Sequence, residues 1–209
     1  MFLSFLRVNK DFSSKYNGGI MKHKFLHTVE LLVLIFFFSN ISILADDTPK
    51  FNYIGVEACG KCHKSENQGK QLSIWKESIH SNAYITLLGA EAANVAKELG
   101  YEKAPNELSE CLVCHASGYE VDADRLEAGF KIEDGVQCET CHGAGSGYKS
   151  IKIMKDKKLA IQNGLVNVFE NTSEYCQTCH NPDSPTFSGF DFEKMWAKVE
   201  HYIPVTKKE

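Results

Sequence analysis

Four short cysteine–histidine motifs supply the chemistry of this 209-residue chain. Each has the form C-x-x-C-H, and they lie at residues 59–63, 111–115, 138–142 and 176–180. Together they contain all eight cysteines. The pattern is typical of covalent haem attachment, because two thiols one helical turn apart reach the two vinyl groups of one porphyrin. The adjacent histidine then binds the iron as its proximal ligand.

The motifs therefore predict four haem c groups, each with its iron, and name the residues that hold them. The thioether residues are Cys59, Cys62, Cys111, Cys114, Cys138, Cys141, Cys176 and Cys179. The proximal iron ligands are His63, His115, His142 and His180.

Three other uses of paired cysteines explain the pattern less well. Zinc sites place their pairs at most about 20 residues apart, whereas Cys62 and Cys111 are 49 positions apart. A disulfide framework is compatible with an exported protein, but it leaves the four histidines unexplained. A thioredoxin-like redox pair occurs once, near a βαβ pattern.

The N-terminal region predicts export, which haem c attachment in bacteria requires. A basic stretch at 22–24 precedes an apolar run at 31–38, and small residues at 43–45 form a cleavage site before Asp46. The apolar stretch at 31–45 has 15 residues, fewer than the roughly 20 that span a bilayer. We therefore expect a secretory signal peptide rather than a membrane anchor, and a periplasmic or other extracytoplasmic location.

The signal also suggests how the chain is divided. Met21 begins a signal of normal length, so residues 1–20 are interpreted as an upstream extension from a start codon placed too early. Residues 21–45 are the signal peptide, and residues 46–209 form one tetrahaem cytochrome c domain. With four porphyrins in so short a chain, we expect a mainly α fold with little β, in which helices and loops wrap the haems.

The charge of the mature domain excludes some partners and favours others. Residues 46–209 carry 18 of the 23 Lys and Arg and 25 of the 27 Asp and Glu, a net charge of −7. Nucleic acids and anionic membrane surfaces are poor partners for such a protein. A redox protein with a basic docking surface is a suitable one.

Hydrophobic periodicity and punctuating residues predict the main helices. We expect helices at 66–80, 83–99 with a possible break at Gly89, 149–170 broken near Gly164, and 192–201 capped by Asp191. Residues 119–135 should form a loop, with at most a short hairpin.

Outside the motifs and the leader, only His80 and His201 remain as histidines. Both follow apolar helix faces, so we predict that they are distal iron ligands. Two haems at most can then have two histidine ligands. The others need Met154, Met195, a Lys, a Tyr, a residue from another subunit, or no sixth ligand.

Longer stretches around the motifs resemble a known family. The matching stretches are the motif at 59–63 with 75–83, the motif at 111–115 with Gly118 and Tyr119, the segment 135–145, and 190–195 with 201–202. These are similar to the tetrahaem cytochrome c-554 family, which accepts electrons from hydroxylamine oxidoreductase. The resemblance implies a mostly helical fold with closely stacked haem pairs, distal His80 and His201, and a five-coordinate haem under His115.

One departure from the family concerns a third distal histidine, expected shortly after the third motif. Without gaps its position falls on Lys152. Either Lys152, Tyr148 or Met154 substitutes, or a second haem is open.

The leading functional hypothesis is a carrier that passes electrons from a hydroxylamine-oxidoreductase-like donor to a downstream cytochrome or quinone-linked acceptor, more an electron-transfer protein than an enzyme. The alternative is an oxidoreductase acting on nitric oxide or hydroxylamine at a five-coordinate haem. That reaction would need a distal acid or base, for which Glu139, Asp134 and Tyr119 are candidates. A gas sensor or a module of a larger haem complex is a third class.

Overall fold

A computed structural model describes residues 50–202, which are helical and contain no strand. The mainly α class predicted from the sequence is therefore confirmed. The predicted extension at 1–20 and signal peptide at 21–45 lie outside the described residues. The helices are α1 Val56–Gly60, α2 Gln71–Glu77, α3 Ala83–Thr86, α4 Ala90–Glu98, α5 Ser109–His115, α6 Cys138–His142, α7 Ile151–Met154, α8 Lys157–Gln162, α9 Thr172–Cys176 and α10 Phe192–Trp196.

Short 3-10 turns connect many of these helices. They are Glu66–Gln68, Ile79–Asn82, Pro105–Glu107, Ala123–Arg125, Ile132–Asp134 and Gly145–Gly147. None of the described helices is long and apolar enough to cross a bilayer.

The prediction of one continuous helix at 66–80 is wrong. Gly69 and Lys70 adopt left-handed backbone, with φ of 94° and 54°, and separate the first 3-10 turn from α2. Ser78 is extended and ends α2. His80 consequently lies in the turn Ile79–Asn82, and the Ile79 side chain is 69% exposed rather than part of a buried face.

The other helix predictions were partly correct. The break at Gly89 is confirmed, since it separates α3 from α4. The helix at 149–170 is instead two short helices, because Asp156 caps α8 by accepting a hydrogen bond from the Leu159 amide at 3.0 Å. Asp191 caps α10 as expected, but that helix ends at Trp196.

The lead-in segment, residues 51–55, is held in extended form by the rest of the domain. Tyr53 makes a parallel bridge with Leu126. Residues 119–135 contain no strand, so the hairpin considered for them is not formed. The Arg125 guanidinium donates to the Phe51 carbonyl at 2.7 Å, and the Asn52 amide donates to Ser146 Oγ at 2.7 Å. This segment thereby joins the loop before the third motif to the turn after it.

Few apolar side chains are buried by protein alone. Within residues 50–202 the buried hydrophobic residues are Ile54, Val56, Leu87, Ala96, Leu108, Leu112, Ala116, Ala144, Tyr148 and Ala160. Four of these ten are alanines, and larger side chains such as Phe169 (61%) and Leu88 (58%) are exposed. Such a small apolar interior agrees with the expectation that haems supply much of the core.

Candidate haem-binding sites

Short helices present the four motifs. The second lies on α5 and the third on α6, whereas the first begins at the end of α1 and the fourth at the end of α9. All eight cysteines, which fall within the described residues, have free thiols. The disulfide framework considered from the sequence is therefore not formed, and the thiols remain available for thioether bonds.

Attachment cysteines of different motifs lie near one another. The neighbouring Cys138 thiol, followed by burial, raises the pKa of the Cys59 thiol. Burial, followed by the neighbouring Cys179 thiol, raises the pKa of the Cys114 thiol to about 11. Burial, followed by the nearby Cys176, also raises the pKa of Cys141 to about 11. The first motif thus lies near the third, and the fourth lies near both the second and the third.

His80 and His180 face each other across 100 positions of sequence. Their ring centroids are 6.1 Å apart with planes inclined at 46°. Burial, and secondarily the neighbouring His180, lowers the pKa of His80. Phe190 stacks on His180, with centroids 5.3 Å apart and planes 17° from parallel. The predicted distal ligand His80 therefore lies opposite the histidine of the fourth motif.

His142 and His201 form a second facing pair. Their ring centroids are 5.9 Å apart. Burial, followed by the nearby His201 and His63, lowers the pKa of His142 to about 4, which keeps this imidazole neutral as an iron ligand requires. His201 Nδ1 donates to the Val199 carbonyl at 2.9 Å, so Nε2 is left free.

The spacing of both pairs fits a haem iron between the rings. A metal–imidazole nitrogen bond is roughly 2.0 Å long, and that nitrogen lies roughly 1 Å from its ring centroid. Two imidazoles on opposite sides of one iron therefore place their centroids roughly 6 Å apart. The observed 6.1 Å and 5.9 Å meet this requirement. Within residues 50–202 no group of three or more His, Cys, Asp or Glu side chains is arranged to hold a bare metal ion.

His115 is oriented by backbone rather than by another histidine. Its Nδ1 donates to the Ala83 carbonyl at 2.8 Å, and Thr86 Oγ1 lies 3.3 Å from the same nitrogen. Because a carbonyl oxygen can only accept, the proton is on Nδ1 and Nε2 is free for iron. Helix α3 thus orients the predicted proximal ligand of the second motif.

The segment Gly135, Val136 and Gln137 positions the groups around the third motif. The Val136 amide donates to the His80 carbonyl at 3.0 Å, and Trp75 Nε1 donates to the Val136 carbonyl at 2.8 Å. Gly135 has φ +73°, and a Cβ there would lie 2.7 Å from the His80 oxygen. The close approach that holds the His80 turn therefore requires glycine.

Glu139 is a structural residue whose role the sequence did not reveal. Its side chain is 1% exposed, and its carboxylate accepts hydrogen bonds from the amides of Ile54, Gly55 and Gly145 at 2.7–3.0 Å. Burial raises the pKa of Glu139, while these three amides act in the opposite direction. Glu139, a candidate distal acid, therefore holds the lead-in segment against α6 instead.

The remaining candidate ligands and acids lie in different surroundings. The Tyr148 hydroxyl donates to the His142 and Gly143 carbonyls at 3.0 and 2.8 Å. Lys152 is exposed, and Met154 is half-buried. Asp134 ends the turn Ile132–Asp134, where burial raises its pKa. Tyr119 lines a cavity of about 220 Å³ beside Cys114 and Cys179.

A helical fold with four C-x-x-C-H motifs, free thiols and two facing imidazole pairs defines a c-type cytochrome. Residues 58–143 match the family described as "Cytochrome c554 and c-prime". The protein named "Cytochrome c-554" from Nitrosomonas europaea is 31% identical over 158 residues, which are 66% of this chain and 60% of the relative. These matches confirm the resemblance to the cytochrome c-554 family that the motifs indicate.

The match covers part of each protein. This chain spans 60% of the length of that curated relative. No solved structure matches the chain significantly. Haem c with its iron is the cofactor that membership of a cytochrome c family implies.

Proposed function

We propose that the protein is an exported tetrahaem cytochrome that carries single electrons between redox enzymes. The donor is an enzyme resembling hydroxylamine oxidoreductase, and the acceptor is a downstream cytochrome or a quinone-linked protein. The facing pairs of His80 with His180 and His142 with His201 carry this proposal. An iron held by two imidazoles changes charge without changing ligands, which suits electron transfer rather than substrate binding.

The arrangement of the motifs supports haems that lie near one another. The proximity of Cys138 to Cys59 and of Cys179 to Cys114 supports pairing the first haem with the third and the second with the fourth. We assign the haems to these two pairs. The cofactor supplies the redox chemistry, and the protein supplies axial ligands and their orientation.

Residues near the motifs orient the proposed iron ligands. The Val136 amide holds the His80 turn, the Ala83 carbonyl fixes His115, and the Val199 carbonyl fixes the His201 ring. Hydrogen bonds of this kind set the tautomer and the basicity of an imidazole ligand.

The acidic domain supports a partner with a basic docking surface. The net charge of −7 over residues 46–209, to which haem propionates add, attracts such a surface at long range. We therefore expect the association rate with the donor to fall steeply as ionic strength rises.

A catalytic role in nitrogen-oxide chemistry is less well supported. Glu139 makes hydrogen bonds to three backbone amides in a buried position, so it is not free to exchange protons with a bound ligand. Because this candidate acid is not available, the carrier is favoured over the enzyme.

The test uses the purified mature protein. A pyridine haemochrome assay should give four haem c per chain, and electron paramagnetic resonance should show two bis-histidine low-spin centres. Stopped-flow mixing with reduced donor should show electron uptake faster than any turnover of hydroxylamine, nitrite or nitric oxide. Fewer than four haems, or sustained turnover by the protein alone, would contradict the proposal.

A further inference from the structure

The histidines between residues 50 and 202 can be assigned one by one. There are six, and four of them follow the attachment cysteines. The two that remain are His80 and His201. An axial site on iron takes one nitrogen, so the distribution of these two imidazoles decides which haems receive a second histidine.

Both spare imidazoles are already placed. His80 faces His180, and His201 faces His142. His201 cannot bridge to another iron through its second nitrogen, because Nδ1 donates to the Val199 carbonyl. Within the described part of the chain, His63 and His115 are therefore left without a histidine opposite them.

Other side chains after the third motif are poorly placed to compensate. The Tyr148 hydroxyl donates to the His142 and Gly143 carbonyls, so it is already engaged and does not face an iron as a free ligand. Lys152 is exposed on α7, where its ammonium stays hydrated. The half-buried Met154 and Met195 are left as the thioether ligands to exclude by experiment.

We infer that the haem held by Cys59, Cys62 and His63 has an open axial position, in addition to the haem under His115, and that both bind small neutral π-acceptor molecules such as carbon monoxide or nitric oxide. The inference rests on the proposed attachment of four haems. It makes the first motif a second ligand-binding site in a protein whose third and fourth motifs hold closed irons.

Carbon monoxide titration of the dithionite-reduced holoprotein tests this inference. We expect two equivalents bound per chain, measured from the Soret shift and calibrated against the pyridine haemochrome count of the same sample. A haem count below four would refute the proposed function, whereas four haems with one or no carbon monoxide bound would refute the inference alone. In the oxidised protein, electron paramagnetic resonance should show two high-spin irons.

Four single variants test which side chains occupy axial positions on the irons. His80→Ala and His201→Ala should each raise the stoichiometry from two to three, because each removes one facing imidazole. Met154→Leu and Met195→Leu are matched controls that should leave it at two. If the wild type binds one carbon monoxide per chain and a Met variant binds two, that methionine is an axial ligand and the inference is wrong. The wild-type titration decides the question even where a histidine variant fails to accumulate.

Discussion

Both carboxylate oxygens of Glu139 accept hydrogen bonds from the Ile54 amide, at 2.9 and 3.0 Å, although the two residues are 85 positions apart. Oε2 also accepts from the Gly55 amide, and Oε1 from the Gly145 amide. One buried side chain thus fastens the start of the domain and the turn after the third motif to α6. The stability of this junction should depend on an acceptor at position 139.

Glu139→Gln should lower the free energy of unfolding of the holoprotein by about 1–3 kcal/mol, because its amide NH₂ would face backbone donors and leave one unpaired. Chemical denaturation followed by Trp fluorescence would measure the change. The matched control is Glu127→Gln, which removes an exposed ion pair to Lys149 and should cost under about 1 kcal/mol. Equal effects of the two variants would argue against a special role for Glu139.

The pH dependence of stability should also report Glu139. Burial raises its folded-state pKa above the ordinary value of 4.5, so the folded state retains the proton at higher pH than the unfolded chain does. The stabilisation is complete below the unfolded pKa and is lost as pH rises through the folded pKa. The stability advantage of the wild type over Glu139→Gln should therefore shrink as pH is raised from 4 to 7. If that advantage instead grows with pH, the three amides lower the pKa of Glu139 by more than burial raises it.

Gly135→Ala should disturb the ligation of the fourth haem. The residue has φ +73°, and the new Cβ would meet the His80 carbonyl oxygen at 2.7 Å, so the turn that carries His80 must shift. We expect about 1–3 kcal/mol of strain and partial conversion of one low-spin haem to high-spin, measured by electron paramagnetic resonance.

Gly100→Ala provides a closely matched control for that substitution. Gly100 has a similar φ of +82°, but a Cβ there would have nothing within 4 Å. It should show the backbone cost alone, with an unchanged spin-state spectrum. A spin-state change in Gly100→Ala as large as in Gly135→Ala would point to general destabilisation rather than displacement of His80.

Tyr148→Phe tests whether this phenol is structural or an iron ligand. Loss of the hydrogen bonds to the His142 and Gly143 carbonyls should cost about 0.5–1.5 kcal/mol in unfolding free energy. Visible and electron paramagnetic resonance spectra should not change. Appearance of a new high-spin signal would identify Tyr148 as an axial ligand, and Tyr119→Phe serves as the exposed control.

The sequence was sufficient where the determining interactions are local. A C-x-x-C-H motif predicts haem attachment because its five residues carry the two thiols and the imidazole within about one helical turn. The break at Gly89 and the cap at Asp191 were predictable for the same reason. The long helix at 66–80 was mispredicted, because the left-handed backbone at Lys70 is not apparent from hydrophobic periodicity.

Long-range relationships required the tertiary structure. The count of spare histidines follows from the sequence alone, but the pairing of His80 with His180 and of His201 with His142 does not, since these residues are 100 and 59 positions apart. The role of Glu139 was equally hidden, because its partners are backbone amides that carry no side-chain signature. Covalent chemistry is determined within five consecutive residues, whereas axial ligation depends on which distant segments the backbone hydrogen bonds bring together.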